Sequence, residues 1–215
     1  MSDVGRPSRG PRANDQMVDR LLAGLETALK DRGYTETTVS HIVAATGTSK
    51  RSFYENFSTK GDCLLEHHTR FHQRIMADIA REAPLAESSF EATVVGVEIY
   101  FRAFVTQPHI ARAHLLDILT IGQEGLEARA AATWGYVRGM QTVMGTARPD
   151  RPAQLLDDAR GLGILGGLNE IALDLLVRRD VSMIDDAVER AVDFVRSIIR
   201  DLPTLENGAA APASV

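Results

Sequence analysis

The 215-residue sequence is short of several things, and each shortage excludes something. It holds a single cysteine, Cys63, so no intrachain disulfide can form, and a reducing, cytoplasmic setting is expected. No apolar run approaches the length of a membrane-spanning helix, and the first residues lack the apolar core of a signal peptide, so no membrane partner is expected. No stretch alternates apolar and polar residues as a half-buried strand does, and no internal repeat is visible, which leaves an all-α fold. No Ser/His/Asp or Cys/His constellation is legible and no carboxylate pair stands out for acid–base work, so no catalytic residue, enzyme activity or cofactor is expected. Positive charge is scarce as well: the net charge is −5, which taken alone argues against a nucleic-acid binder.

Splitting the chain changes that last conclusion. Residues 1–60 hold nine Lys/Arg against seven Asp/Glu, whereas the remainder holds fifteen against twenty-two. A basic end on an acidic body is the asymmetry expected when only one end meets phosphate. At 44% hydrophobic, the chain is an ordinary globular one. Residues 1–14 are rich in Gly, Pro, Ser and Arg and read as a flexible basic arm, in which Arg6, Arg9 and Arg12 could reach a DNA backbone or minor groove. Residues 15–32 read as a first helix, with Val18, Leu21, Leu22, Leu25 and Leu29 at helical spacing and Gly33 as its stop.

The most informative stretch is residues 37–60, TTVSHIVAATGTSKRSFYENFSTK. Thr37 or Thr38 can cap a short helix whose apolar side is Val39, Ile42 and Val43, and Gly47 gives the backbone freedom for a sharp reversal. Ser49 is a good N-cap for a second helix, with Phe53 and Phe57 four apart on its inner face. The opposite face carries Lys50, Arg51, Ser52, Tyr54 and Asn56, short polar, cationic and aromatic groups suited to a helix entering a major groove. With Arg32-Gly33-Tyr34, Thr46-Gly47-Thr48-Ser49-Lys50 and Lys60 before a long helix, residues 18–71 resemble the DNA-binding domain of the TetR family of transcriptional regulators. Thr48, Arg51 and Gly61 depart from the family's usual residues; Arg51 bears on which operator is read. The resemblance implies a helix-turn-helix domain over 15–61, an effector-binding and dimerisation bundle over 62–202, and a flexible tail over 203–215, about nine helices in all. It further implies a homodimer on palindromic double-stranded operator DNA, a repressor released by a small, largely hydrophobic effector. Ser40, His41, Ser49, Lys50, Arg51, Ser52, Tyr54, Asn56 and Lys60 are then the expected DNA contacts, Arg51 to a base and Lys60 to phosphate. The alternative is a helical small-molecule carrier or enzyme in which the helix-turn-helix is only scaffold.

In the body, the periodicity predicts helices over 60–81, from Ser88 or Ser89 through Phe104, and over 109–119, 126–144, 153–177 and 183–200, with a turn at 149–152. Residues 153–177 are apolar on more than one side, which calls for a partner on each. Gly163, Gly167, Ile171, Val188, Val192 and Val195 are expected in a four-helix dimer interface, as the resemblance implies for the last two helices. Gly161, Gly163 and Gly166 spell the dinucleotide fingerprint, but the residues before them read as helix, so the required strand–turn–helix is missing. His68, His72, Phe101, Phe104, His114, Asp117, Trp134, Met140, Met144, Asn169 and Glu170 are candidates for an effector pocket, or for plain core and surface. His68 and His72 lie one turn apart, as do Cys63 and His67, a spacing that can hold a metal. No tetrahedral set adjoins them in sequence, and His68 falls in an apolar stripe, so core or pocket histidines are expected and no metal.

Overall fold

The computed structural model describes residues 11–146, 152–178 and 184–205, and among these every extended element is helical. Arg6 and Arg9 of the arm lie outside the described residues, as do the side chain of Arg12, most of the 149–152 turn, Met183 and residues 206–215. Helix α1 (Pro11–Glu36) begins at Pro11 and so takes in the last residues assigned to the arm; proline suits a first helical position because its missing N–H would be unpaired there anyway. The helix proper stops at Gly33 (φ 72°), and one more turn carries Tyr34 inward. Val18, Leu21, Leu22, Leu25 and Leu29 form its buried face.

Helices α2 (Val39–Thr46) and α3 (Lys50–Tyr54) follow. The long α4 (Lys60–Glu82) opens on a capping box in which Thr59 and Asp62 exchange side-chain and backbone bonds. A 3-10 turn at Ala83–Leu85 leads to α5 (Ser89–Val105), capped by Ser88, then to α6 (Pro108–Leu115) with its proline in the first turn. The expected run of α6 to Leu119 does not occur: the chain changes to a 3-10 helix at Asp117–Ile121 and leaves it through Gly122 (φ 98°). Gly125, in the first turn of α7 (Gln123–Gly145), lies against the Ile118 carbonyl where a Cβ has no room. That close approach folds the 3-10 segment back on α7 and ends α6 early.

Helix α8 (Asp158–Arg178) starts five residues later than the apolar pattern predicts. The preceding residues are pulled into an extended pairing with the far end of the chain: Leu155 N donates to Pro203 O (2.8 Å) and Leu205 N to Ala153 O (2.8 Å). Gln154 adds a side-chain bond to Leu202 O (3.1 Å) and bridges Thr204. Residues 203–205 are therefore anchored and not part of a tail. Last comes α9 (Ile184–Ile199).

One continuous cluster of buried apolar side chains runs from Val18 to Leu202. The expected boundary at 61/62 falls inside this continuity, since Cys63 and Leu64 on the first turns of α4 are fully buried. α4 thus belongs to both the front of the molecule, with α1 to α3, and the bundle behind. No helix among the described residues is long and apolar enough to cross a membrane.

Candidate nucleic-acid interface and ligand cavities

The front of the molecule, α1 to α3 with the start of α4, is held by local chemistry. Thr38 caps α2, its hydroxyl accepting from His41 N (3.4 Å) while His41 Nδ1 accepts from Thr38 N (3.3 Å). Gly47 takes the left-handed conformation that ends α2 (φ 61°, ψ 26°). Ser49 caps α3 by accepting from Ser52 N (3.0 Å). The backbones of α1 and α2 nearly touch at Gly24, where a Cβ would lie 2.5 Å from the Ile42 carbonyl oxygen. Arg20 closes the same seam by donating to Thr46 O (2.9 Å). Phe53 is fully buried beneath α3 and Phe57 packs beside it with its ring tilted (centroids 5.6 Å apart).

On this platform Ser40, Ser49, Lys50, Arg51 and Tyr54 are exposed, Tyr54 by 58%. Arg51 is reined by Glu55 (Nε–Oε1 3.0 Å) yet keeps 73% of its side chain in solvent. His41, Ser52, Asn56 and Lys60 are half-buried and occupied elsewhere. His41 belongs to the capping box, and Asn56 donates back to Ser52 O (2.7 Å). Lys60 departs furthest from expectation. Its ammonium donates to the carbonyls of Tyr34 (2.7 Å) and Thr37 (2.8 Å) and lies 4.1 Å over the Tyr34 ring. The Tyr34 carbonyl also accepts from Thr37 N (3.2 Å), and the start of α4 supplies one charge shared by it and the Thr37 carbonyl. Burial lowers the Lys60 pKa, with Asp117 and Glu36 pulling the other way.

Among the described residues, the bundle holds a large cavity and a small one that bear on the expected pocket. The larger, about 600 Å³ and partly open to the surface, is bordered by α4, α5, α7, α8 and α9. Its walls are aliphatic, with Met76, Ile79, Val97, Ile164, Leu165 and Val195 among them, and with Tyr100, Tyr136 and three threonines as polar points. Three of its lining positions are glycine: a Cβ at Gly96 would lie 3.7 Å from Ile79 and one at Gly135 3.2 Å from Met76, while the exposed Gly139 has nothing within 4 Å of where its Cβ would be. Of the expected pocket residues only Met140 and Met144 line it.

The smaller cavity, about 20 Å³, gathers His68, His72, Phe104, His114 and Asn169 with Tyr100, Arg129, Thr133 and Tyr136. Tyr100 donates to Asn169 Oδ1 (2.8 Å), and Tyr136 bonds His72 Nδ1 (3.0 Å). His114 Nε2 is 2.9 Å from His67 Nδ1, whose ring reaches Glu26 on α1 (Nε2–Oε1 2.7 Å). The His67 hydrogen bond is the main cause of a lowered Glu26 pKa. Burial pushes the His68 pKa down to about 4 and takes His72 and His114 well below the usual histidine value. Burial also pushes the Cys63 thiol up to about 12, leaving it a core residue.

The remaining pocket candidates line neither cavity. Phe101 is fully buried core, Trp134 is packed half-buried, and Glu170 faces solvent. Asp117 sits 3.8 Å from Arg112 where front and body meet, its pKa raised by burial against the pull of Arg112 and Lys60.

The expected interface residues divide as well. Val188, Val192 and Val195 are buried in the chain's own core, and Val195 lines the large cavity. Gly167 admits the ring of Phe194 from α9, and Gly161 admits Val137 from α7, where a Cβ would sit 2.7 Å from its Cγ1. Ile171 is half-buried against the core. Gly163, by contrast, faces open space with Gly166, beside the exposed Leu162. On α9 the apolar stripe is taken up by the chain's own core.

Sequence reasoning missed Tyr100 and Tyr136, which wall both cavities, and Glu26. Each tyrosine neighbours a residue of an apolar stripe (Phe101, Val137), and a polar tip there was the available signal. Residues 21–67 match the family model described as "Bacterial regulatory proteins, tetR family". A transcriptional regulator from Rhodococcus sp. Rha1 is similar in structure, with a TM-score of 0.71 and 18% identity over 88% of this chain and 99% of that one. A putative TetR-family regulator from Syntrophomonas wolfei gives 0.70 and 14% over 87% and 96%. The regulator FadR from Bacillus subtilis, solved in complex with stearoyl-CoA, gives 0.64 and 14% over 83% and 97%. No curated protein matches the sequence.

Proposed function

We propose that this TetR-family transcriptional regulator is a cytoplasmic homodimer that represses from a palindromic operator and is released when an acyl-type effector fills the large cavity. The observation that carries the effector class is the aliphatic cavity of about 600 Å³, within the 300–1,000 Å³ usual for small-molecule sites. The structurally similar FadR that holds stearoyl-CoA supports the same class. The domains are then a reading head over 15–61 that shares α4 with an effector and dimerisation body ending near residue 205. Two such heads would place their recognition helices one DNA turn apart, roughly 34–36 Å.

Ser49, Lys50, Arg51 and Tyr54 form the contact surface, with Ser40 at its edge. Arg51 reads a base, because a guanidinium can grip guanine through two bonds. Lys60 and Asn56 act indirectly, by fixing the shape of the head. The outer face of α8, at Leu162, Gly163 and Gly166, meets the same face of a second copy. Effector binding moves α4, whose far end lines the cavity through Met76, Ile79 and Ala80 while its near end packs into the head.

Selection of bound duplexes from random DNA tests this. Recovery of palindromic sites with salt-sensitive binding is expected, with Arg51→Ala losing about 1–3 kcal/mol at one base position. A uniform loss across all operator variants removes Arg51 from the base-reading role. Absence of any enriched site rejects the regulator and favours a carrier or enzyme.

A further inference from the structure

The geometry points to a metal site that pins α4 to α6: we propose that His68, His72 and His114 bind one late first-row divalent cation of the zinc, cobalt or nickel class, with a fourth position open to the small cavity. One ring nitrogen from each of the three buried histidines lies within 4.8 Å of the other two. Tetrahedral sites with three imidazoles and one water are a familiar arrangement for such ions.

Buried polar atoms are normally paired. Here the Nδ1 of His114 is buried with no hydrogen-bond partner, and the two buried ring nitrogens of His68 have no polar partner beyond the Ala128 backbone, although the two residues are only 1% and 2% exposed. A purely structural histidine cluster would use its neighbours to satisfy these atoms, and this one uses them for something else. Glu26 Oε1 accepts from His67 Nε2 (2.7 Å), so a neutral His67 accepts at Nδ1 from His114 Nε2 (2.9 Å). That chain of bonds fixes the His114 tautomer and leaves the Nδ1 lone pair free. On the other side, His72 Nδ1 donates to the Tyr136 hydroxyl (3.0 Å), which passes its own proton toward the His72 carbonyl (3.5 Å). His72 Nε2 is then free as well. A carboxylate behind one histidine and a hydroxyl behind another are the outer supports that orient metal-binding imidazoles.

The adjoining cavity of about 20 Å³ holds about one water, enough for a fourth ligand. Arg129 and Thr133 line it, which suits a water, a hydroxide or another small anion there. Tyr100 and Tyr136 separate this site from the apolar cavity and border both. The inference stands apart from the proposed function, because ion binding is read without DNA.

The test is a titration of the chelator-stripped full chain with Co(II), followed by Zn(II). At one equivalent, the intense visible d–d absorption of four-coordinate cobalt is expected, and zinc abolishes it. His68→Leu and His114→Leu remove the band. Glu26→Gln, which does not touch the ion, weakens binding about 10–100-fold, while His109→Asn on α6 leaves it unchanged. Helical content by circular dichroism distinguishes a lost site from a lost fold, and Glu26→Gln carries the test should the histidine variants unfold. A weak octahedral spectrum, a near-ultraviolet thiolate band from Cys63, or a band that survives His68→Leu overturns the site. So does unchanged affinity in Glu26→Gln.

Discussion

In the reading head, α2, α3 and α4 each begin at a hydroxyl (Thr38, Ser49, Thr59) that accepts from the third backbone amide of its helix. Gly24 lets the α1 and α2 backbones nearly touch. In the body, α5 and α8 are capped by Ser88 and Asp157 but α6 and α7 begin without a side-chain cap, and Gly96, Gly135 and Gly139 line a space of about 600 Å³. The head uses Gly24 for contact; the body uses Gly125, Gly161 and Gly167 in the same way, but sets three further glycines around the large cavity. The side chains around the large cavity pack on fewer neighbours than core residues do, whereas the head has three capped helices and a filled aromatic core. That contrast suits a rigid reader moved by an adaptable sensor, with α4 common to both.

The sharpest way to break the contrast is to hollow the head. Phe53→Ala removes a fully buried ring beneath a five-residue helix that has no independent stability. A loss of about 3–5 kcal/mol is expected in urea unfolding, with operator binding gone. Lys60→Met comes next. Two carbonyls lose a shared charged donor, which should cost roughly 1–3 kcal/mol and weaken all operator sequences alike. Thr38→Ala removes one cap and should cost about 1 kcal/mol. Gly139→Phe should do least to the fold, within about 1 kcal/mol given the helix propensity it regains. A ring there occupies open space and should abolish binding of a lipophilic ligand. In the unaltered chain such a ligand at about 100 times its Kd adds about 2.7 kcal/mol of stability, so the two proteins separate cleanly in a thermal-shift assay.

The same contrast explains what could be read from sequence. Caps and reversals are written within four residues of where they act, so Thr38, Gly47, Ser49 and the Phe53/Phe57 pair were legible without a structure. Features set by distant segments were not. The start of α8 was misplaced because Leu155 and Leu156 continue an apolar helical pattern, while pairing with residues 203–205 overrides it. Val188, Val192 and Val195 carry the strongest apolar signal on α9, but periodicity shows only that a face is buried, not against what. The position and cationic type of Lys60 point to phosphate, whereas the carbonyls it serves lie 23 and 26 residues away. A cavity is an absence of side chains from several helices at once. Glycines four apart on α7, Gly135 and Gly139, were its one local trace.

The coupling between cavity and head is tested most directly by fluorescence anisotropy of a selected operator duplex, titrated with a long-chain acyl-CoA against the unaltered protein and Gly139→Phe. If filling the cavity steers α4, the acyl ligand weakens operator binding about 5–150-fold in the unaltered protein and leaves Gly139→Phe on its DNA. Ligand binding seen by thermal shift with no change in operator affinity contradicts that coupling.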